Sequence, residues 1–174
     1  SRFLDAVIQK TSAEKGYVLL KDNAQQDRYL LEAARSAIKD ESQKLMERVQ
    51  GGDRAPIERM LTQIEAVLQQ GDGPPDHRLA APIAQKDKFL GYVYIENDLT
   101  RDAFNENHRG ILNMLSSQAA ISLENATLYN HLASKKEEIQ QELTVIQKLN
   151  TQIELQSNDI TDSLKYAKRI QDTI

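Results

Sequence analysis

Residues 128–170, LYNHLASKKEEIQQELTVIQKLNTQIELQSNDITDSLKYAKRI, contain neither proline nor glycine and carry apolar residues in a repeat of seven. One position of this repeat is isoleucine four times in succession, at Ile139, Ile146, Ile153 and Ile160. A sustained seven-residue repeat predicts a left-handed coiled coil, because this period keeps one stripe of a helix facing its partner. No globular core of this chain is large enough to cover such a helix, so we expect a second copy to cover it.

The same heptad phase begins near His108 and continues to Ile174, with roughly 75 Å of helix after Asn125 at 1.5 Å per residue. Isoleucine at the a positions favours a parallel, two-stranded coil. The residues expected to form this dimer interface are Leu128, Leu132, Ile139, Ile146, Leu149, Ile153, Ile160 and Ile170. Several d positions are polar, namely Lys135, Glu142, Gln156 and Ser163. The seam is therefore expected to be marginal and to tolerate small rotations.

The region before the long helix predicts shorter helices and two β-hairpins. Apolar residues at helical spacing predict helices over residues 3–8, 38–49 and 56–68, the last followed by a break at 71–75. Short β-prone runs predict one hairpin from residues 16–20 and 28–34, and a second from 77–84 and 88–96. The order helix, hairpin, helices, hairpin, long helix predicts an α+β fold, in which flanking helices pack on an antiparallel sheet.

The composition excludes several classes of protein. The net charge of −4 is opposite in sign to the basic surface typical of nucleic-acid binding, so we expect no nucleic-acid partner. No apolar run approaches the roughly 20 residues that cross a bilayer, so we expect no membrane insertion. The absence of cysteine excludes disulfides and cysteine-ligated metals, and it fits a reducing cytoplasm. We therefore expect a cytoplasmic protein.

Several segments together resemble one family. They are LAAPI at 79–83, LGYVYIEN at 90–97, Ala103-Phe104, and LNMLSSQAAISLENA at 112–126. They are similar to the last two core strands and the closing helix of GAF domains in bacterial multidomain signalling proteins. The resemblance covers residues 77–130 most clearly, and residues 51–76 depart from the family pattern. It implies a GAF-like sensor domain over residues 1–129, followed by a coiled-coil signalling helix over 130–174.

The last part of the helix carries a second resemblance. Residues 159–171, DITDSLKYAKRIQ, are similar to the linker that leads into sporulation-type serine/threonine phosphatase domains. This implies a fragment of a longer protein, whose sensor relays a signal through the coil to a C-terminal output enzyme, with a phosphatase as first choice. Two alternatives stay open. The domain is a ligand-free dimerisation module, or it is the sensor of a cyclase or histidine kinase.

The candidate site residues are few. No convergent set of nucleophile, base and metal ligands is visible, so we expect this segment to be non-catalytic, without a cofactor or a metal. The family resemblance implies a possible small-molecule ligand between the sheet and the connecting helices. By position, Arg35, Arg54 and Arg78 are candidates to supply charge there. The competing interpretation is that all three arginines face solvent, because arginine is rarely buried.

Overall fold

Four antiparallel strands form one sheet in the order β2-β1-β4-β3. The computed structural model describes residues 2–22, 25, 28–38, 40–70, 77–86, 88–100 and 102–172. The elements are α1 (Arg2–Thr11), β1 (Lys15–Lys21), β2 (Tyr29–Ser36), α2 (Glu41–Gln50), α3 (Ala55–Gln69), β3 (Arg78–Gln85), β4 (Lys88–Glu96) and α4 (Glu106–Gln171). The predicted α+β class and element order are confirmed. The predicted break at 71–75 and the final a position, Ile174, lie outside the described residues.

The two predicted hairpins are β1–β2 and β3–β4, and antiparallel pairing of β1 with β4 joins them into one sheet. At Gly91 the two backbones approach so closely that a Cβ atom would collide with the carbonyl oxygen of Leu19. A glycine is required there for the sheet to close, because any side chain would push the hairpins apart. This pairing fixes the register across all four strands.

One face of the sheet packs against α1 and the first part of α4. Leu4 and Val7 of α1 and Leu112 and Ala120 of α4 are fully buried in this layer. From the strands, the alternating residues Val18, Ile83, Val93 and Ile95 complete it. Successive strand residues point to opposite faces, so the intervening residues belong to a different layer.

The other face of the sheet packs against α3, with α2 beside it. Ile57, Met60 and Ile64 recur at helical spacing and place one side of α3 against Leu19 and Tyr94. Pro56 lies in the first turn of α3, where its missing N–H costs no hydrogen bond. Helix α2 has no fully buried residue. It therefore covers the sheet from the edge, and its polar side chains remain available at the domain surface.

The chain divides into two compact units, Ser1–Glu124 and Asn125–Ile174. The sequence-based boundary between residues 129 and 130 lies five residues further along. Within the first unit, α4 buries Leu112, Ser116, Ala119 and Ala120. Every described residue of the second unit is exposed. The predicted long helix is confirmed, and its parallel pairing stays a prediction. None of the described helices combines the length and the apolar character needed to cross a membrane.

Candidate functional site

A cleft of about 440 Å³ lies between the sheet and the helices α2 and α3. Its floor comes from the ends of the strands, and its helical wall includes Leu45 of α2 with Pro56 and Met60 of α3. The volume falls in the range of small-molecule sites, about 300–1,000 Å³. The helices contribute both apolar and charged residues, and the strand ends contribute mainly polar and charged ones, so the cleft has the mixed lining that such sites require.

The strand register collects the polar floor of the cleft. Ser36 of β2 is paired with Lys15 of β1, Lys15 with Glu96 of β4, and Glu96 with Arg78 of β3. These four residues therefore form one row across the whole sheet, and all four line the cleft. Directly opposed residues in antiparallel strands lie about 4.5–5.5 Å apart at Cβ. Residues far apart in the sequence thus share one surface.

Two tyrosines hold the carboxylate of Glu96 in place. The hydroxyl of Tyr17 donates to Oε1 of Glu96 at 3.2 Å, and that of Tyr94 donates to Oε2 at 3.1 Å. The rings of Tyr17 and Tyr94 stack with centroids 5.9 Å apart. Glu96 is buried, and these two donors compensate part of the cost of burying its charge.

The same contacts shift the ionisation of both phenols. Burial, followed by the negative charge of Glu96, raises the pKa of Tyr17. Burial raises the pKa of Tyr94 as well, with the Glu96 charge as the next contribution, while the nearby Arg78 acts in the opposite direction. Both phenols therefore stay protonated and remain hydrogen-bond donors to Glu96 throughout the neutral range.

Lys15 connects the sheet to α2. Its Nζ lies 3.4 Å from Glu41 in the first turn of α2 and 4.0 Å from Asp98 after β4. Burial lowers the pKa of Lys15, but the carboxylates of Glu41 and Glu96 outweigh it, so the pKa is raised overall. The hydroxyl of Ser36 also donates to Glu41 at 2.5 Å. Glu41 is thus held by two members of the strand row, which positions α2 over the cleft.

The structure separates the three arginines predicted from the sequence. Arg35 and Arg78 line the cleft, whereas Arg54 precedes α3 and is not part of the lining. Arg35 donates to Asp5 of α1 at 2.7 Å, and this hydrogen bond lowers the pKa of Asp5. Arg78 is partly buried beside Glu96 and Tyr94. Of the three, Arg78 is placed best to meet a ligand.

Most residues of the cleft were not predicted from the sequence. Lys15, Glu96 and the two tyrosines come from strand register, and Lys44, Arg48 and Arg59 come from the faces of α2 and α3. Counting back from the predicted turn at residues 85–87 places Arg78 opposite Tyr94. The observed pairing with Glu96 depends on the register shift between Ile83 and Ala84 and on a tighter turn, which the sequence pattern does not reveal. The contribution of β1 required the tertiary pairing of the two hairpins.

A second cavity, of about 470 Å³, lies on the opposite face of the sheet and is mainly apolar. It is lined by core residues such as Phe3, Val18 and Leu115. Its polar lining, Arg2, Glu32, Gln118 and Ser122, forms no hydrogen-bonded cluster comparable with that around Glu96 in the described chain. The charged cleft is therefore the stronger candidate for ligand binding.

The eight residues predicted to form the dimer interface all lie on α4, and each is at least half exposed, between 50% and 63%. Among the described residues, no group of three or more histidine or acidic side chains is arranged to hold a metal ion. No family model matches the chain, and no curated protein matches it. The GAF resemblance therefore remains a prediction.

Removing the hydroxyl of Tyr94 tests the role of the phenol–carboxylate cluster. Tyr94→Phe is expected to lower the free energy of unfolding by about 1–3 kcal/mol at neutral pH, because the buried Glu96 loses a donor. The matched control is Tyr166→Phe, since Tyr166 is 69% exposed and should change stability very little. Urea unfolding followed by circular dichroism measures both variants.

The same pair of variants tests the raised pKa of Tyr94. A tyrosine in the unfolded chain has a pKa of about 10, so its stabilising contribution is complete below about pH 10 and is lost as the pH rises towards the folded-state value. The wild-type stability should fall above about pH 10, and it should fall less steeply in Tyr94→Phe. Equal slopes in the two proteins would contradict the described environment of this phenol.

Proposed function

We propose that this chain is a non-catalytic sensory module that dimerises through α4 and relays the state of its sheet domain to an output domain. The observation that carries the proposal is the apolar stripe of α4, whose large side chains are exposed over the whole second unit. A single helix in water does not keep such a stripe uncovered, because burying one isoleucine contributes about 1.5–3 kcal/mol. A second copy of α4 is the partner whose repeat matches.

The first part of α4 supports the same proposal from within the sheet domain. Leu112 and Ala120 face the sheet and are fully buried, whereas Met114 and Ile121 are 56% and 47% exposed. The exposed pair occupies d positions of the same heptad phase that continues through Leu128. One helix therefore has one face in the domain core and another face in the proposed dimer seam.

The character of the seam favours a relay over a simple tether. Around the isoleucine stripe, apolar residues occur on one side at the d position Leu149 and on the other side at the e position Leu143, both exposed in the single chain. The stripe can therefore be completed in two ways that differ by a small rotation of the helices. An element with two packings of similar energy can transmit a signal, because a small bias from the sensor changes which packing dominates.

The two sequence resemblances supply the rest of the proposal. Similarity of residues 77–130 to GAF domains supports a sensory role for the sheet domain. Similarity of residues 159–171 to the linker before sporulation-type phosphatases supports a serine/threonine phosphatase as the output enzyme. The cysteine-free composition supports a cytoplasmic setting. The charged cleft favours a sensor with a ligand over a domain that only dimerises.

Placing a charge in the seam tests the dimer. Ile146→Glu is expected to weaken dimerisation at least about 100-fold, because two buried isoleucines are lost and two like charges face each other. Gln147→Glu adds the same charge one residue further along, outside the apolar stripe, and should leave the dimer intact. Sedimentation equilibrium measures both. A monomeric wild type, or an Ile146→Glu variant that remains dimeric, would refute the proposal.

Single cysteines test the two packings, since the natural chain has none. Disulfide crosslinks between copies are expected in both Leu143→Cys and Leu149→Cys, because each residue enters the seam in one of the packings. Gln147→Cys is the control and should crosslink poorly. Non-reducing electrophoresis after mild oxidation gives the yields. Efficient crosslinking of Leu149→Cys alone would leave a single rigid packing and would rule out the relay.

A further inference from the structure

The cleft contains more positive than negative charge. Six cationic side chains line it, and three carboxylates accompany them; the cations are Lys15, Arg35, Lys44, Arg48, Arg59 and Arg78, and the carboxylates are Glu41, Glu96 and Asp98. This local excess is opposite in sign to the net charge of the whole chain, −4. A concave site with an excess of one sign of charge raises the local concentration of the opposite ion. The cleft is thus suited to an anion.

Half of these cations already have partners. Lys15 lies near Glu41 and Asp98, and Arg35 is paired with Asp5. Arg48 donates to Asp53 through two nitrogens at 3.1 and 2.6 Å, and this hydrogen bonding lowers the pKa of Asp53. These three cations serve the fold, since each one ties a strand or a helix to its neighbour.

The remaining three cations, Lys44, Arg59 and Arg78, form no ion pair with any described residue. They come from three different elements, α2, α3 and β3, and meet at one cleft. The Nε atom of Arg78 is buried and has no hydrogen-bond partner in the described part of the chain. Buried donors are normally satisfied, so the unpartnered Nε means that the fold does not satisfy the whole guanidinium of Arg78, which lines the cleft and can donate to an acceptor on a ligand.

The neighbouring groups narrow the chemistry of that ligand. Each oxygen of Glu96 accepts one phenol hydrogen bond and keeps the capacity to accept another, so the floor suits a hydroxyl or amine donor beside the anion. Pro56, Leu45 and Met60 give the helical wall an apolar surface. A guanidinium fork recognises planar or tetrahedral oxyanions through paired N–H donors. The cleft therefore suits a small organic molecule with a carboxylate or phosphoryl group.

We propose that the cleft binds a small organic oxyanion carrying two negative charges, with Arg59 and Arg78 as its direct ligands and Lys44 at the rim. This rests on the proposed function only in assigning the sensing role to the sheet domain. A dicarboxylate and a phosphoryl compound offer the same oxyanion chemistry to these residues. Binding would join β3 to α2 and α3 through the cationic side chains that these elements contribute to the lining.

The test uses the full 174-residue chain with sodium pyrophosphate, disodium succinate and, as the ionic-strength control, sodium chloride. Pyrophosphate, succinate or both should raise the melting temperature above the chloride control, because a ligand of the folded state stabilises it. Isothermal titration then gives the affinity. A response to pyrophosphate alone identifies a phosphoryl ligand, and a response to succinate alone identifies a dicarboxylate.

Variants assign the binding to the cleft. Arg59→Gln and Arg78→Gln should each weaken binding about tenfold, the effect of losing a charge-assisted hydrogen bond. Arg54→Gln is the matched control, since Arg54 is close in sequence to Arg59 but outside the lining, and it should bind like wild type. Arg59 is exposed, so its variant remains informative even if Arg78→Gln fails to fold.

Two results would overturn the inference. The first is that neither anion raises the melting temperature above the chloride control. The second is that Arg54→Gln weakens binding as much as Arg59→Gln, which would indicate general charge screening. Sedimentation of the same samples separates this inference from the proposed function. A dimer without an anion response refutes the oxyanion alone, whereas a monomer refutes the dimeric relay.

Discussion

The exposed apolar stripe of α4 is the constraint on which the proposed mechanism depends. The helix buries Leu112 and Ala120 against the sheet, and it presents isoleucines such as Ile146 and Ile153 to solvent after Glu124. Exposing the apolar stripe to water is unfavourable, whereas the buried face is stabilised by packing on the sheet. Both effects act on the same helix. In the proposed mechanism, a change in how α4 packs on the sheet changes the start of the seam, so sensing and pairing are one process.

The cleft depends on a second constraint, the register fixed where β1 and β4 meet at Gly91. That register aligns Lys15, Glu96 and Arg78 in one row and places the Tyr17–Tyr94 stack behind them. A shift of one residue would move the whole row to the opposite face of the sheet. The charged floor and the fold are therefore specified together. Helices α2 and α3 then add cations that the fold itself does not use.

The sequence predicted local features well and their assembly poorly. Periodicity located α3 and the long helix to within a few residues, because the apolar side chains that stabilise a helix recur along one face. The hairpins were predictable because short β-prone runs are joined by turn residues. The cleft was not, since Lys15 and Glu96 are 81 residues apart and become neighbours only through strand pairing. Sequence position alone did not predict which arginines line the cleft, because Arg54 lies a few residues from Arg59 yet outside the lining.

The parallel, in-register pairing of α4 is the central claim, and distances between single spin labels test it most directly. Labels at Gln140 and Thr161 lie 21 residues apart on the outer face of the stripe, or about 31 Å along the helix. Pulsed electron–electron double resonance on the full chain should give the same short interchain distance at both sites. An antiparallel dimer would separate the labels by at least about 31 Å along the helix axis at one of the sites, and a shift of one heptad would separate them by about 10 Å at both. Either result, or the absence of any interchain distance, would contradict the account.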